Sequence, residues 1–119
     1  MPYTETARPL GDEKLYKVSD EVKRYTLRDV GFIETKQGNF QFVRSLNPTP
    51  QMETGLTLKL TIDQSMTQLK MSIVGQNGMR AVNIFTDHSE KGKMIQEKYR
   101  FYMNGLLQRH CIEEVTESI

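Results

Sequence analysis

The stretch Leu56-Thr57-Leu58-Lys59-Leu60-Thr61-Ile62-Asp63-Gln64-Ser65-Met66-Thr67-Gln68-Leu69-Lys70-Met71-Ser72-Ile73 decides the fold. Leu56, Leu58, Leu60 and Ile62 alternate with Thr57, Lys59, Thr61 and Asp63, the period-two pattern of a strand with one dry and one wet face. Leu69, Met71 and Ile73 repeat it against Gln68, Lys70 and Ser72. Asp63-Gln64-Ser65-Met66 serves as the reversal between them. A parallel crossover needs about a dozen residues or more, so strands this close in sequence must pair antiparallel.

Working outward toward the C-terminus, Gln76-Asn77-Gly78 reads as a turn into Met79-Arg80-Ala81-Val82-Asn83-Ile84-Phe85, a third strand with Val82 and Ile84 facing inward. Asp87-His88-Ser89-Glu90 then has the form of a capping box. Ile95, Tyr99, Tyr102, Met103, Leu106 and Leu107 recur at spacings of three, four and seven, the apolar stripe of a long helix. Gly92 is expected to delay the start of that helix by a turn. Gly105, which costs about 1 kcal/mol of helix propensity against Ala, is expected to mark a close approach of helix to sheet. The acidic tail from Glu113 onward is expected to fray.

Toward the N-terminus, residues 47–55 hold Pro48 and Pro50 among polar residues and read as an exposed loop. Phe40-Gln41-Phe42-Val43-Arg44 and Phe32-Ile33-Glu34-Thr35 flank Lys36-Gln37-Gly38-Asn39, a hairpin connection. Before them, Ser19-Asp20-Glu21 looks like a helix start, with Val22, Tyr25 and Val30 inward and Gly31 as terminator. Lys14-Leu15-Tyr16-Lys17-Val18 reads as a strand. The expected architecture is α+β: an antiparallel sheet of about five or six strands with a short N-terminal helix and a long C-terminal helix packed on one face. Residues 1–119 form one domain in this reading, with an ordered core at about 11–112. Seven Met and no Trp suit an adaptable core filled partly by thioethers.

Composition removes several functions. With 16 Lys+Arg against 15 Asp+Glu, a net charge of +1 gives no bulk electrostatic case for a nucleic-acid or membrane-surface protein. The longest apolar runs are too short to span a bilayer. One Cys excludes an internal disulfide framework and a cysteine-built zinc site. With no signal-like segment at the N-terminus and a lone thiol, the default location is cytoplasmic.

Catalytic signatures are lacking as well. His88 and His110 fall at opposite ends of the expected helix, about 30 Å apart, and cannot share an ion, so no metal site is expected. Cys111 follows His110 directly, but neighbours on a helix diverge, and the thiol reads as a small buried hydrophobe. Neither a nucleophile elbow nor a phosphate-binding glycine loop occurs, and no cofactor is implied.

What remains is the wet sheet face, where Arg44 (or Gln41 in its place), Lys59, Lys70, Arg80 and Asn83 are the candidate ligand-binding residues. Such a surface suits a small anionic metabolite or an acidic face of a metabolic enzyme. RNA recognition would put aromatic rings there, and the rings fall on the other phase. An open strand edge also leaves monomer and homodimer both available.

Tyr25-Thr26-Leu27-Arg28-Asp29-Val30-Gly31-Phe32-Ile33-Glu34-Thr35-Lys36-Gln37-Gly38-Asn39-Phe40-Gln41, continued by Arg44, Leu46, Pro48, Pro50, Leu56, Lys59, Ile62 and Val82-Asn83-Ile84-Phe85, resembles a domain-of-unknown-function family of small proteins from lactic-acid bacteria. The resemblance covers roughly residues 11–115. It implies a single α+β domain and a loose association with sulfur and amino-acid metabolism, sometimes under a cysteine-desulfurase label. That label does not suit the chain, which lacks the size and the phosphate-binding loop of such an enzyme. The expectation is therefore a small binding or accessory protein. The alternative is a small enzyme in which Arg44, Arg80 or Lys59 anchors a carboxylate while Glu34, His88 or Cys111 supplies the chemistry.

Overall fold

The computed structural model describes residues 3–51, 53–75 and 80–115. The decisive stretch folds as expected. Phe40–Ser45 (β4), Thr57–Ile62 (β5) and Leu69–Val74 (β6) form an antiparallel meander, with Ile33–Glu34 (β3) at its near edge. The register aligns Phe40, Ile62 and Leu69 in one row and Phe42, Leu60 and Met71 in the next, all on one face. The other face carries Gln41, Thr61 and Lys70, then Val43, Lys59 and Ser72.

A second sheet accompanies it. Thr6–Ala7 (β1), Leu15–Val18 (β2) and Ile112–Val115 (β7) pair antiparallel in the order β1-β2-β7. The single sheet of five or six strands is thus divided in two, and the acidic tail is paired, not frayed, as far as Val115. Glu113 lies opposite Lys17 in the ladder, and Lys17 Nζ is 3.0 Å from Glu113 Oε1. A charge alternation that looks like a solvated tail is here one strand's complement to another.

Arg24–Val30 forms α1. It begins later than the sequence suggests, because Ser19 Oγ accepts from Glu21 N at 3.1 Å and closes a local turn ahead of the helix. Leu27 is its buried residue, while Tyr25 is 62% exposed. Gly31 ends it with φ 111°, and its N–H and that of Phe32 return to the Arg28 and Leu27 carbonyls.

The expected third strand of the decisive run does not form. Residues 76–79, which hold its turn and its first residue, lie outside the described residues. Beyond them only one bridge, Val74 to Ala81, continues the sheet, and Ile84–Thr86 is a 3-10 turn. Asn83 is the cause: its side chain accepts from Phe85 N at 2.9 Å and bends the backbone out of the ladder.

Glu90–Gln108 forms α2, capped by Ser89, whose Oγ accepts from Gly92 N. Gly92 belongs to the first turn and does not delay it; a Cβ there would strike Asp87. Ile95, Tyr99, Met103 and Leu106 of α2 and Leu27 of α1 join one buried cluster with Phe40, Phe42, Leu58, Leu60 and Ile62 of the meander and Tyr16, Val18 and Ile112 of the smaller sheet. Both helices therefore cover one face of the meander. No helix among the described residues is long and apolar enough to cross a membrane.

Candidate functional site

Arg44 stands two residues after Phe42 on β4, so both point to the helix-covered face, where the register sets Arg44 opposite Leu58. The sequence assigned it to the wet face; it sits instead at the rim of the dry one. Its guanidinium folds back over Phe42, with Cζ 4.3 Å from the ring centroid. Nη1 donates to the Val43 carbonyl at 2.9 Å and Nη2 to the Val30 carbonyl at 3.3 Å. Any Cβ on Gly31 would collide with Nη2. The glycine that terminates α1 is also what lets the arginine lie across the helix end.

The last two turns of α2 form the opposite wall. Phe101, Asn104, Gly105, Gln108 and Arg109 recur at spacings of three and four, on a face apart from the buried stripe. Phe101 is 68% exposed. Its ring lies 5.6 Å from that of Tyr102, which stands edge-on to Phe42 at 6.2 Å. Between the walls is a cleft of about 470 Å³, lined by these residues with Val30, Phe42, Arg44, Tyr102 and Leu106. Its described lining includes two arginines and no acidic residue.

Gly105 does not mark a helix–sheet contact, since a Cβ there would meet nothing within 4 Å. It has no packing reason for being glycine. It lines the cleft, and its missing side chain leaves that space open.

The other candidates do not gather with Arg44. Lys59 and Lys70 lie diagonally on the outward face, with Lys59 opposite Val43 and Ser72 and Lys70 opposite Thr61. Lys70 Nζ stands 4.6 Å from the centroid of the Tyr3 ring. Both are half-buried and, among the described residues, neither forms an ion pair. Arg80 is exposed beyond the edge of β6, and Asn83 is occupied in shaping the 3-10 turn. Phe101, Tyr102, Gly105 and Arg109, which line this cleft, were not among the residues expected from the sequence. The signals that could have found them were an aromatic residue off the apolar stripe and a helix glycine without a packing partner.

A second polar constellation was also missed. The Asp12 carboxylate, fully enclosed, accepts from Tyr99 Oη at 2.6 Å, from Tyr16 Oη at 3.3 Å and from the Lys14 N–H at 2.9 Å, and Arg100 pairs with it at 3.3 Å. Burial pushes this carboxyl upward, but the Tyr99 and Lys14 hydrogen bonds and the Arg100 charge outweigh it and hold the group below its ordinary value. Burial, with the same carboxylate adding to it, drives the Tyr99 hydroxyl far above the usual phenol range. No buried side-chain polar atom among the described residues lacks a partner, so the group acts as a latch joining the loop before β2 to α2.

The groups considered for chemistry lie elsewhere. Glu34 is paired with Arg28 at 3.1 Å, His88 is exposed beside the α2 cap, and Cys111 is 0% exposed with burial pushing its thiol up to about 11. None of the three lines the cleft. Among the described residues no group of three or more His, Cys, Asp or Glu is placed to hold a metal ion. The cleft brings two arginines, two side-chain amides and aromatic residues to one opening.

Comparison with known proteins agrees with this architecture. A family model, DUF1831, described as "Putative amino acid metabolism", matches residues 1–113. A crystal structure of a DUF1831 family protein from Lactobacillus plantarum superposes with a TM-score of 0.85 at 35% identity, covering 97% of this chain and 99% of that one. No curated protein matches. Two helices, two antiparallel sheets and a family match over nearly the whole length lead to one assignment: the chain belongs to the DUF1831 family.

Proposed function

We propose that this protein is a small-molecule binding module of amino-acid metabolism, which takes an organic carboxylate with an aromatic or large apolar body into the cleft between β4 and the end of α2. The carrying observation is the pairing of Arg44 and Arg109 with Phe42, Phe101 and Tyr102 around one opening whose described lining holds no acid. Arg44 is half-buried, donates to two backbone carbonyls and, among the described residues, has no carboxylate partner, so its charge favours an incoming anion. The exposed Phe101 ring offers that anion's apolar end a surface to cover. The family description supplies the metabolic setting.

Titration calorimetry with 3-phenylpropionate, and with its uncharged amide as control, tests the reading. The acid binds at one site and the amide does not. Arg109→Glu and Gly105→Leu each weaken binding at least about tenfold, a loss of about 1.4 kcal/mol. Undiminished affinity in Gly105→Leu excludes the cleft.

A second reading keeps the outward face of the meander as a docking surface for an acidic partner protein, and Lys59 and Lys70, half-buried and without an ion pair among the described residues, beside exposed Ile33 and Val43 favour it. Charge reversal by Lys59→Glu with Lys70→Glu abolishes such docking; interactions unchanged by the pair of substitutions refute it.

A further inference from the structure

We infer that the ligand of the cleft is a deaminated amino acid, a 2-oxo acid with an aromatic side chain, and that the cleft rejects the parent zwitterionic amino acid. The inference rests on the reading above and sharpens it. A site for a free amino acid has two charges to satisfy: cations for the carboxylate and an acceptor, usually a carboxylate, for the ammonium. This cleft satisfies the first twice, through Arg44 and Arg109, and among its described residues offers no acid for the second.

An ammonium placed here would share the cleft with Arg44 and Arg109, whose like charge repels it. The remaining polar lining is made of amides. Asn104 and Gln108 stand one turn apart on α2, four residues along the same face, and each can turn its NH2 toward a ligand. Two amide donors beside two guanidiniums match a carboxylate that carries an adjacent carbonyl oxygen. The 2-oxo group is an acceptor where an amino acid would present an ammonium donor. The amides can present either a donor or an acceptor, so it is the positive charge of the two arginines that discriminates. Phe101 and Tyr102 set an aromatic wall against the remaining end of such a ligand, for which stacked or edge-on ring contacts are favourable.

The ligand's chemistry also fixes its neighbours in a reaction sequence. An aromatic 2-oxo acid is formed when an amino group is transferred or oxidatively removed from an aromatic amino acid, and it is consumed by the reverse transfer. The protein then belongs beside a reaction of the amino-transfer class, as a carrier or sensor of its deaminated partner.

The test compares phenylpyruvate with L-phenylalanine by titration calorimetry against the full chain, with Asn104→Asp as the second variant. Asn104 is exposed, so the substitution leaves the core untouched. Phenylpyruvate binds at least about tenfold more tightly than phenylalanine to the native protein, and Asn104→Asp narrows or reverses that ratio by supplying an acceptor for the ammonium. Equal or tighter binding of phenylalanine to the native cleft overturns the inference while leaving the carboxylate reading in place. Failure of both ligands and of 3-phenylpropionate overturns the two together.

Discussion

Asp12 shows how much of this molecule rests on single side chains that no local pattern announces. Its carboxylate is reached by Tyr99 and Arg100, far along the chain, and only the folded topology brings them together. Because its folded value lies below the ordinary 3.8, the stability it contributes is fully present above that value and is lost as pH falls through the depressed one. Asp12→Asn should therefore cost about 3 kcal/mol at neutral pH, through the unpaired Arg100 and the altered tyrosine contacts. It should also flatten the decline in stability below about pH 4. Denaturant unfolding at pH 7 and pH 3 measures both effects, and a variant as stable as the native protein at pH 7 rules out the latch. Cys111, in contrast, was legible from its neighbours as a buried thiol, and its enclosure predicts resistance to alkylation. Iodoacetamide at pH 8 should label it only at the rate of unfolding, whereas rapid labelling of the folded chain would show the thiol to be open.

Elements were readable wherever burial acts on one side of a regular period. β4, β5, β6 and α2 follow from alternation and from the three-four stripe, since a slip of one residue would turn each apolar set toward water. Reading failed where a side chain captured the backbone. Ser19 holds a turn ahead of α1, and Asn83 folds an apparent strand into a 3-10 turn. It failed again at β7, whose Glu113 and Glu114 look solvated until the strand partner carrying Lys17 is known. Arg44 was expected on the wet face and lies on the other, because only the register with Leu58 fixes its direction. Gly105 carries the prediction that belongs to α2. With nothing within 4 Å of an added Cβ, Gly105→Ala should raise stability by about 0.8 kcal/mol, seen as about 3 °C in Tm. A fall in Tm would reveal a close neighbour and remove the case that this glycine serves the cleft.

At the scale of the whole molecule, two small sheets share one core under α1 and α2, and the division leaves two distinct surfaces. One is the outward face of the meander, with its lysines and threonines. The other is the cleft where β4, the end of α1 and the end of α2 meet, and there the described lining combines cations, rings and amides without acids. The periodicity that revealed the sheet directed attention to its wet face, while the cleft that Arg44 and Arg109 both line depends on three elements meeting in space.

Amide NMR of the isotope-labelled protein titrated with phenylpyruvate tests whether a ligand enters this cleft. The largest shifts should cluster at Val30, Gly31, Arg44 and residues 101–109, with Lys59 and Lys70 unmoved. Shifts centred on Lys59, Lys70 and Ser72, or no saturable shifts at all, exclude the cleft as the binding site.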